Sequence, residues 1–299
     1  NKGGKYIDYD WYGQNHGIGQ DYLLSVSRYY GNGEESSDST HNGRNIELAG
    51  FGLVLSNIER YLTSTEDIKF LRYYWDKIRY QIAEVLVNSI DQTGLVRKDS
   101  GPWRRYLPGK HFAYTSICAY RGLLSANWMA TKRGDENFAL KCQNTAKEIR
   151  ESIIEKLYME DENIFKGNLE GKIPVQYGDG SIVEAINFMF SPQDHLSEIV
   201  INTIEEQLKF QNNPPAYTKL FRKKPREDNL FINLRIAIAL TKTRNNRQAQ
   251  VILDKIMTRS QKYGFTLPQK YVNDKPAGPS PMIGRGAANI ILYYNEKSN

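Results

Sequence analysis

The sequence predicts an all-α fold, an (α/α)6-barrel-like helical toroid with six inner helices and fewer outer ones. Three observations carry this. Apolar residues recur at three- and four-residue spacing along most of the 299 residues, while the two-residue alternation of strands is scarce. The helices are of two types that alternate along the chain. And the long loops all lead into helices of one type.

The first type is short, rich in small residues and nearly uncharged: AGFGLVL, ICAYRGLLSA, IVEAINFMF, LFINLRIAIAL and GRGAANIILYY. A helix apolar nearly all round is buried on every side. The second type is long, striped and charged, as a surface helix is. The expected inner helices span 18–31, 46–64, 112–133, 180–190, 229–243 and 281–295. The expected outer helices span 66–90, 136–158, 192–209 and 246–263. Helix starts are legible at Thr65 before Glu66-Asp67 and at Asp135 before Glu136, a cap followed by acids that suit the helix dipole. Ser191-Pro192 reads as proline in the first helical position. The loops 1–17, 32–45, 91–111, 159–179, 210–228 and 264–280 would gather at one end of the toroid as a cleft. On this reading residues 1–299 form a single domain.

Composition narrows the function. The net charge is +6 and spread out; the densest basic cluster, KLFRKKPRED, ends in two acids. No nucleic-acid module is present, so nucleic acid is not expected as a partner. No apolar run approaches the roughly 18 residues of a membrane span. Cys118 and Cys142 fall in helical patterns, as two buried thiols or one disulfide. Phosphate loops, zinc spacings and serine-nucleophile elbows are missing, so neither cofactor nor metal is implied. Twenty tyrosines offer apolar faces with polar tips, which suit cores and also sugar-lined clefts. Trp11, Tyr12, His16, Trp103, Tyr106, His111, Tyr177 and Tyr217 would line the cleft. An oligosaccharide or polysaccharide is the expected ligand, with a protein partner as a further alternative.

One stretch, GLVRKDSGPWRRYLPGKHFAYTSICAYRGLLSA at 94–126, resembles the segment of glycoside hydrolase family 15, the glucoamylase type, in which a Gly-Ile-Trp-Glu corner precedes an aromatic-Thr/Ser pair and an inner helix. DGSIVEAINFMF with SPQDHLSEIVINTIEEQL, NLFINLRIAIAL with NRQAQVILDKIMTRSQKYGF, and LPQKYVNDKPAGPSPMIGRGAANIIL are similar to later hairpins of that family. The stretch YIDYDWYGQNHGIGQDYLLSV is similar to its sugar-gripping region. The resemblance implies a toroid of six helical hairpins and inverting hydrolysis of α-glucans.

The departures concern the chemistry itself. Where the family has its general acid, Arg104 follows Trp103; where it has its general base, Pro268 precedes Gln269; its Arg-Asp pair becomes Gln14-Asn15. Inversion needs an acid on the leaving oxygen and a carboxylate to activate water. Arginine stays protonated and proline has no side-chain base. Residues 100–111 hold no Asp or Glu at all. Glu184 and Glu47, near the mouth ends of inner helices, are the candidates for relocated catalytic carboxylates, or else dipole partners of those helices. Asp99, Asp179 and Asp228 read as turn residues, and Asp8 and Asp10 as sugar ligands or frayed chain. Substrate binding falls to Trp11, Gln14, Asn15, His16, Trp103, Arg104, Arg105, His111 and Gln269. The two arginines would grip an anionic group or remain solvated, and His111 would assist catalysis or serve as a structural donor. The alternative to a glycosidase is a glycan-binding or regulatory module that keeps the cleft without the catalysis.

Overall fold

The computed structural model describes residues 46–102, 109–171, 180–209, 227–278 and 284–298, with only the backbone at 206–209, 227–228 and 285. The chain divides into two compact units, one reaching Leu157 and including Asn168–Glu170, the other formed by Tyr158–Gly167 and the chain from Gly171 onward.

The first unit is helical. Helix α1 spans Ala49–Thr65 and ends on left-handed Glu66, whose N–H bonds the Leu62 carbonyl. Helix α2, Ile68–Ile78, runs through a π-helical turn, Arg79–Ala83, into α3, Glu84–Val87. The single outer helix expected over 66–90 is therefore one helical run carrying a bulge. Its cap also differs from expectation. Thr65 belongs to α1, where its hydroxyl donates to the Tyr61 carbonyl; Asp67 caps α2 by accepting from Phe70 N–H at 2.9 Å. An acidic side chain at that position meets the orphan donors and the positive end of the helix together. Helices α4, Ala113–Arg133, and α5, Glu136–Leu157, stand within a residue of expectation, with Asp135 capping α5 through Phe138 N–H.

Small residues in α1 and α4 do one specific thing. A Cβ on Gly52 would lie 2.1 Å from the Cys118 carbonyl oxygen, and one on Gly122 would lie 2.4 Å from Gly52 Cα. The two backbones touch there, and only glycine leaves the room. Around this crossing α4 buries Ile117, Ala119, Leu123, Ala126 and Met129. Cys118 and Cys142 are both buried free thiols.

The second unit opens with a two-stranded hairpin, β1 Tyr158–Met159 against β2 Ile164–Phe165. A 3-10 turn at Gly180–Val183 leads into short α6, Glu184–Phe188. Helix α7 spans His195–Lys209 rather than starting at Pro192. The reason is local: Asp194 N–H bonds the Ser191 carbonyl, closing a turn around Pro192, and the Asp194 side chain accepts from Leu196 N–H. Helix α8, Leu230–Lys242, buries nearly every side chain, as its largely apolar pattern requires, and Asn229 caps it. Helix α9, Asn246–Lys262, buries the stripe Ala249, Ile252, Leu253, Ile256 and Ser260, the mark of a surface helix. Strand β3, Glu227–Asn229, pairs antiparallel with β4, Lys270–Val272, which pairs with β5, Lys275–Ala277. Helix α10 spans Gly284–Ser298. The short strands carry too few residues for alternation to reveal them. The inner helix expected at 18–31 lies outside the described residues.

Candidate functional site

The candidate site is built on Asp99, at the root of the loop that follows it. Its backbone pairs with Lys110 in an antiparallel bridge, and Ser100 N–H bonds the Ile46 carbonyl. The side chain is 4% exposed. One oxygen accepts from Leu48 N–H, the N-cap of α1, at 3.1 Å. The other accepts from Gly101 N–H at 2.9 Å, and the Thr115 hydroxyl in the first turn of α4 lies 3.0–3.1 Å from both. One carboxyl thus ties together the starts of two inner-type helices. The expectation that Asp99 is a plain turn residue is corrected: the Gly101 contact is a local turn, but the other bonds are long-range and buried.

Electrostatics sets this group apart. Burial pushes the Asp99 carboxyl up to about 7, the donors from Leu48, Thr115 and Gly101 pull against that, and the charge of Glu47 adds to the rise. Glu47, itself half-buried, is therefore a neighbour in charge as well as in sequence. A buried carboxyl titrating near neutrality beside a second carboxylate is the sort of pair that can hold and release a proton under working conditions.

His111 occupies a second cluster in the same unit. Its Nδ1 lies 2.7 Å from Glu170 Oε1 and its Nε2 2.8 Å from Asp91 Oδ2, while its backbone N–H donates to Glu170 Oε2. Carboxylates only accept, so both ring nitrogens carry protons in this geometry. Burial would pull the imidazole pKa down, but the hydrogen bonds and charges of Glu170 and Asp91 overcome this and raise it. The Asp91 carboxylate, held by Thr93 and His111 against its own burial, lies below its ordinary value, and so does Glu170. His111 is engaged as a structural cation that fastens the 168–170 segment to the start of α4.

Glu184 lies in the second unit and is 1% exposed. Arg235 donates Nε to Oε1 at 2.6 Å and Nη2 to Oε2 at 2.5 Å, and Asn187 Nδ2 adds a 3.3 Å contact to Oε2. The guanidinium also stacks 5.1 Å from the Phe188 ring. Both carboxylate oxygens are thus engaged with protein donors. Glu47 and Glu184 belong to different units. Gln269 is half-buried, and its carbonyl accepts from Leu230 N–H at the start of α8; Pro268 beside it is buried.

Trp11, Gln14, Asn15, His16, Trp103, Arg104 and Arg105 lie outside the described residues, as do Asp8, Asp10, Tyr12, Tyr106, Tyr177, Asp179 and Tyr217. Among the described residues, no group of three or more His, Cys, Asp or Glu side chains is arranged to hold a metal ion, and no helix is long and apolar enough to cross a membrane. Sequence reasoning missed Asp91, Glu170, Thr115 and Arg235. Two of these left a signal: Asp91 opens the turn-forming DQTG, and Arg235 is the lone charge inside the apolar run LFINLRIAIAL.

No protein-family model matches this sequence, and no curated protein does. Solved structures do match. The rhamnosidase from Klebsiella oxytoca with rhamnose bound aligns at TM-score 0.59 and 16% identity, over 87% of this chain and 46% of that one. A bacterial glucoamylase complexed with acarbose aligns at TM-score 0.65 and 13% identity, over 92% of this chain and 43% of that one. A wild-type glycosidase aligns at TM-score 0.64 and 14% identity, over 89% of this chain and 70% of that one. This chain spans less than half the length of the rhamnosidase and of the glucoamylase. These likenesses give the fold class: all-α, the helical (α/α) toroid of glycosidases.

Proposed function

We propose that this chain is a carbohydrate-active protein of the glucoamylase-like type, related to glycoside hydrolase family 15, which holds an oligo- or polysaccharide without the usual hydrolysis. The observation that carries the reading is the closed Glu184–Arg235 pair on a glycosidase-type scaffold. Glu184 is the candidate carboxylate of the second unit, and its oxygens are taken up by Arg235. Arg104 and Pro268 stand where the resemblance puts the acid and the base. The loss of general acid or base costs about 10²–10⁴-fold each, so a site lacking both would retain binding and lose turnover.

A second reading is favoured by Asp99. A carboxyl brought to about 7 beside Glu47 holds its proton near neutrality, as a general acid must, while its oxygens, like those of Glu184, are engaged with protein donors. On this reading the relocated pair is Asp99 and Glu47, and hydrolysis is inverting.

One experiment separates the two. The protein is titrated calorimetrically with maltooligosaccharides and a panel of other short oligosaccharides, and each mixture is then assayed for new reducing ends. Saturable binding without new ends supports the first reading. New ends that vanish in Glu47→Gln and Asp99→Asn but persist in Glu184→Gln establish the second. Absence of binding to every sugar removes both and leaves the helical scaffold for a protein partner.

A further inference from the structure

One feature of the first unit is used neither by the core nor by the carboxylate clusters. Helix α2 buries Leu71, Trp75 and Ile78 and turns a row of aromatic rings to solvent. Tyr73 is 78% exposed, Tyr80 47% and Tyr74 37%; Tyr61, at the end of α1, is 43% exposed. Phe70, Tyr73, Tyr74 and Lys77 follow the spacing that places side chains on one helical face.

The rings form a connected ladder. Tyr61 meets Phe70 edge-on at 5.3 Å, Phe70 meets Tyr74 at 4.8 Å, and Tyr74 meets Tyr73 edge-on at 4.7 Å. The ladder is braced at two of its rings, Tyr61 and Tyr74. The Tyr61 hydroxyl donates to Asp67 Oδ2 at 2.9 Å, on the residue that caps α2, and Lys77 Nζ lies 5.9 Å from the Tyr74 ring centre. Rings already held by their neighbours lose little freedom when something stacks on them.

We propose that this face is a docking platform for a neutral polysaccharide chain, apart from the carboxylate clusters described above. Two properties select that occupant. The first is charge: between 66 and 77, Glu66, Asp67 and Asp76 balance Lys69, Arg72 and Lys77. A polyanion, whether nucleic acid or acidic glycan, finds no net attraction on such a surface. The second is the residue type. In the ladder only Phe70 lacks a polar tip. Phenol rings give the C–H faces of a sugar an apolar surface and its hydroxyls a hydrogen-bonding edge. The inference rests on the carbohydrate reading but concerns a different surface, so the two fail separately.

Affinity gel electrophoresis tests it. The whole chain and its Tyr73→Ala/Tyr74→Ala variant are run through gels containing dextran, xyloglucan, glucomannan, soluble amylopectin or polygalacturonate. Both proteins are also titrated with the short oligosaccharides used above. The expected result is retardation by a neutral polymer that weakens about tenfold in the variant, with short-oligosaccharide binding unchanged. The exposure of Tyr73 leaves the fold intact in the variant, checked by circular dichroism. Three results overturn the platform: no retardation by any neutral polymer, retardation equal in both proteins, or retardation by polygalacturonate alone that salt abolishes. Concentration-dependent self-association in sedimentation, lost in the variant, overturns it as well by assigning the face to a second copy. Polymer results of these kinds with oligosaccharide binding intact remove the platform and leave the proposed function standing.

Discussion

Glu184 and Arg235 are each the lone charge of an apolar helical segment, and each is the other's partner. The fork geometry satisfies both carboxylate oxygens in a site 1% and 8% exposed at the two residues. Such a pair carries a large desolvation cost, so its presence does not by itself add stability; removing one half is what hurts. Glu184→Gln takes the bidentate carboxylate away from a buried guanidinium, and urea unfolding should show a loss of about 3–5 kcal/mol. The double replacement Glu184→Leu with Arg235→Met should recover most of it. A single variant as stable as the parent would show that Arg235 finds another anion.

The His111 cluster predicts a pH dependence with a definite sign. The imidazole pKa is raised by folding from its ordinary 6.5, so its contribution is complete below that value and is lost as pH rises through the folded value. Asp91 and Glu170 are lowered, so their share is present above the ordinary carboxylate range and lost as pH falls through their folded values. Lys98 Nζ lies 3.8 Å from Glu170 Oε1. Thermal melting from pH 5 to 9 should show a downward alkaline arm that His111→Gln removes. An unchanged arm in that variant would assign it elsewhere.

Asp99 adds a separate window. A carboxyl moved from 3.8 to about 7 binds its proton more tightly when folded, so stability falls as pH rises between those values. At about 1.4 kcal/mol per unit, the whole effect is on the order of 4 kcal/mol. Asp99→Asn should abolish this slope. Glu47→Gln should shift its midpoint to lower pH, since a repelling charge is gone. Carbon-detected NMR of the Asp99 carboxyl reads the midpoint directly.

Two neighbouring glycines of α1 should respond in opposite directions. Gly50 is exposed, and a methyl group added there would meet nothing within 4 Å, so Gly50→Ala should stabilise by about 0.5–1 kcal/mol through helix propensity. Gly52→Ala should destabilise by about 1–3 kcal/mol or more, because the methyl meets the α4 backbone. Chemical denaturation of the two variants measures both.

Much of the helical framework is readable in the sequence because burial leaves a long periodic trace. Helix α4, expected at 112–133, stands at Ala113–Arg133; α8, expected at 229–243, stands at Leu230–Lys242. Errors gather where a single contact decides. Proline suits the first position of a helix, which makes Pro192 read as a start, but the Ser191–Asp194 turn and the Asp194 cap win. The π turn at Arg79–Ala83 has no breaker to announce it. The site is less legible than the fold. Asp99 and Thr115 are sixteen residues apart and Glu184 and Arg235 fifty-one, and each meets its partner only through tertiary packing. Nothing local distinguishes an Asp at a turn from one sealed between two helices.

The contact of Gly52 with Gly122 acts as a spacer gauge for chemistry one and two turns away. Leu48 lies four residues before Gly52 on one helix, and Thr115 lies seven before Gly122 on the other; both donate to the same Asp99 carboxyl. The separation of those donors is therefore set by how closely the two backbones meet. A methyl group at the crossing would act as a wedge, and the proton affinity of Asp99 would report it. Acidity at the root of the loop is in this sense adjustable from a glycine that never touches it.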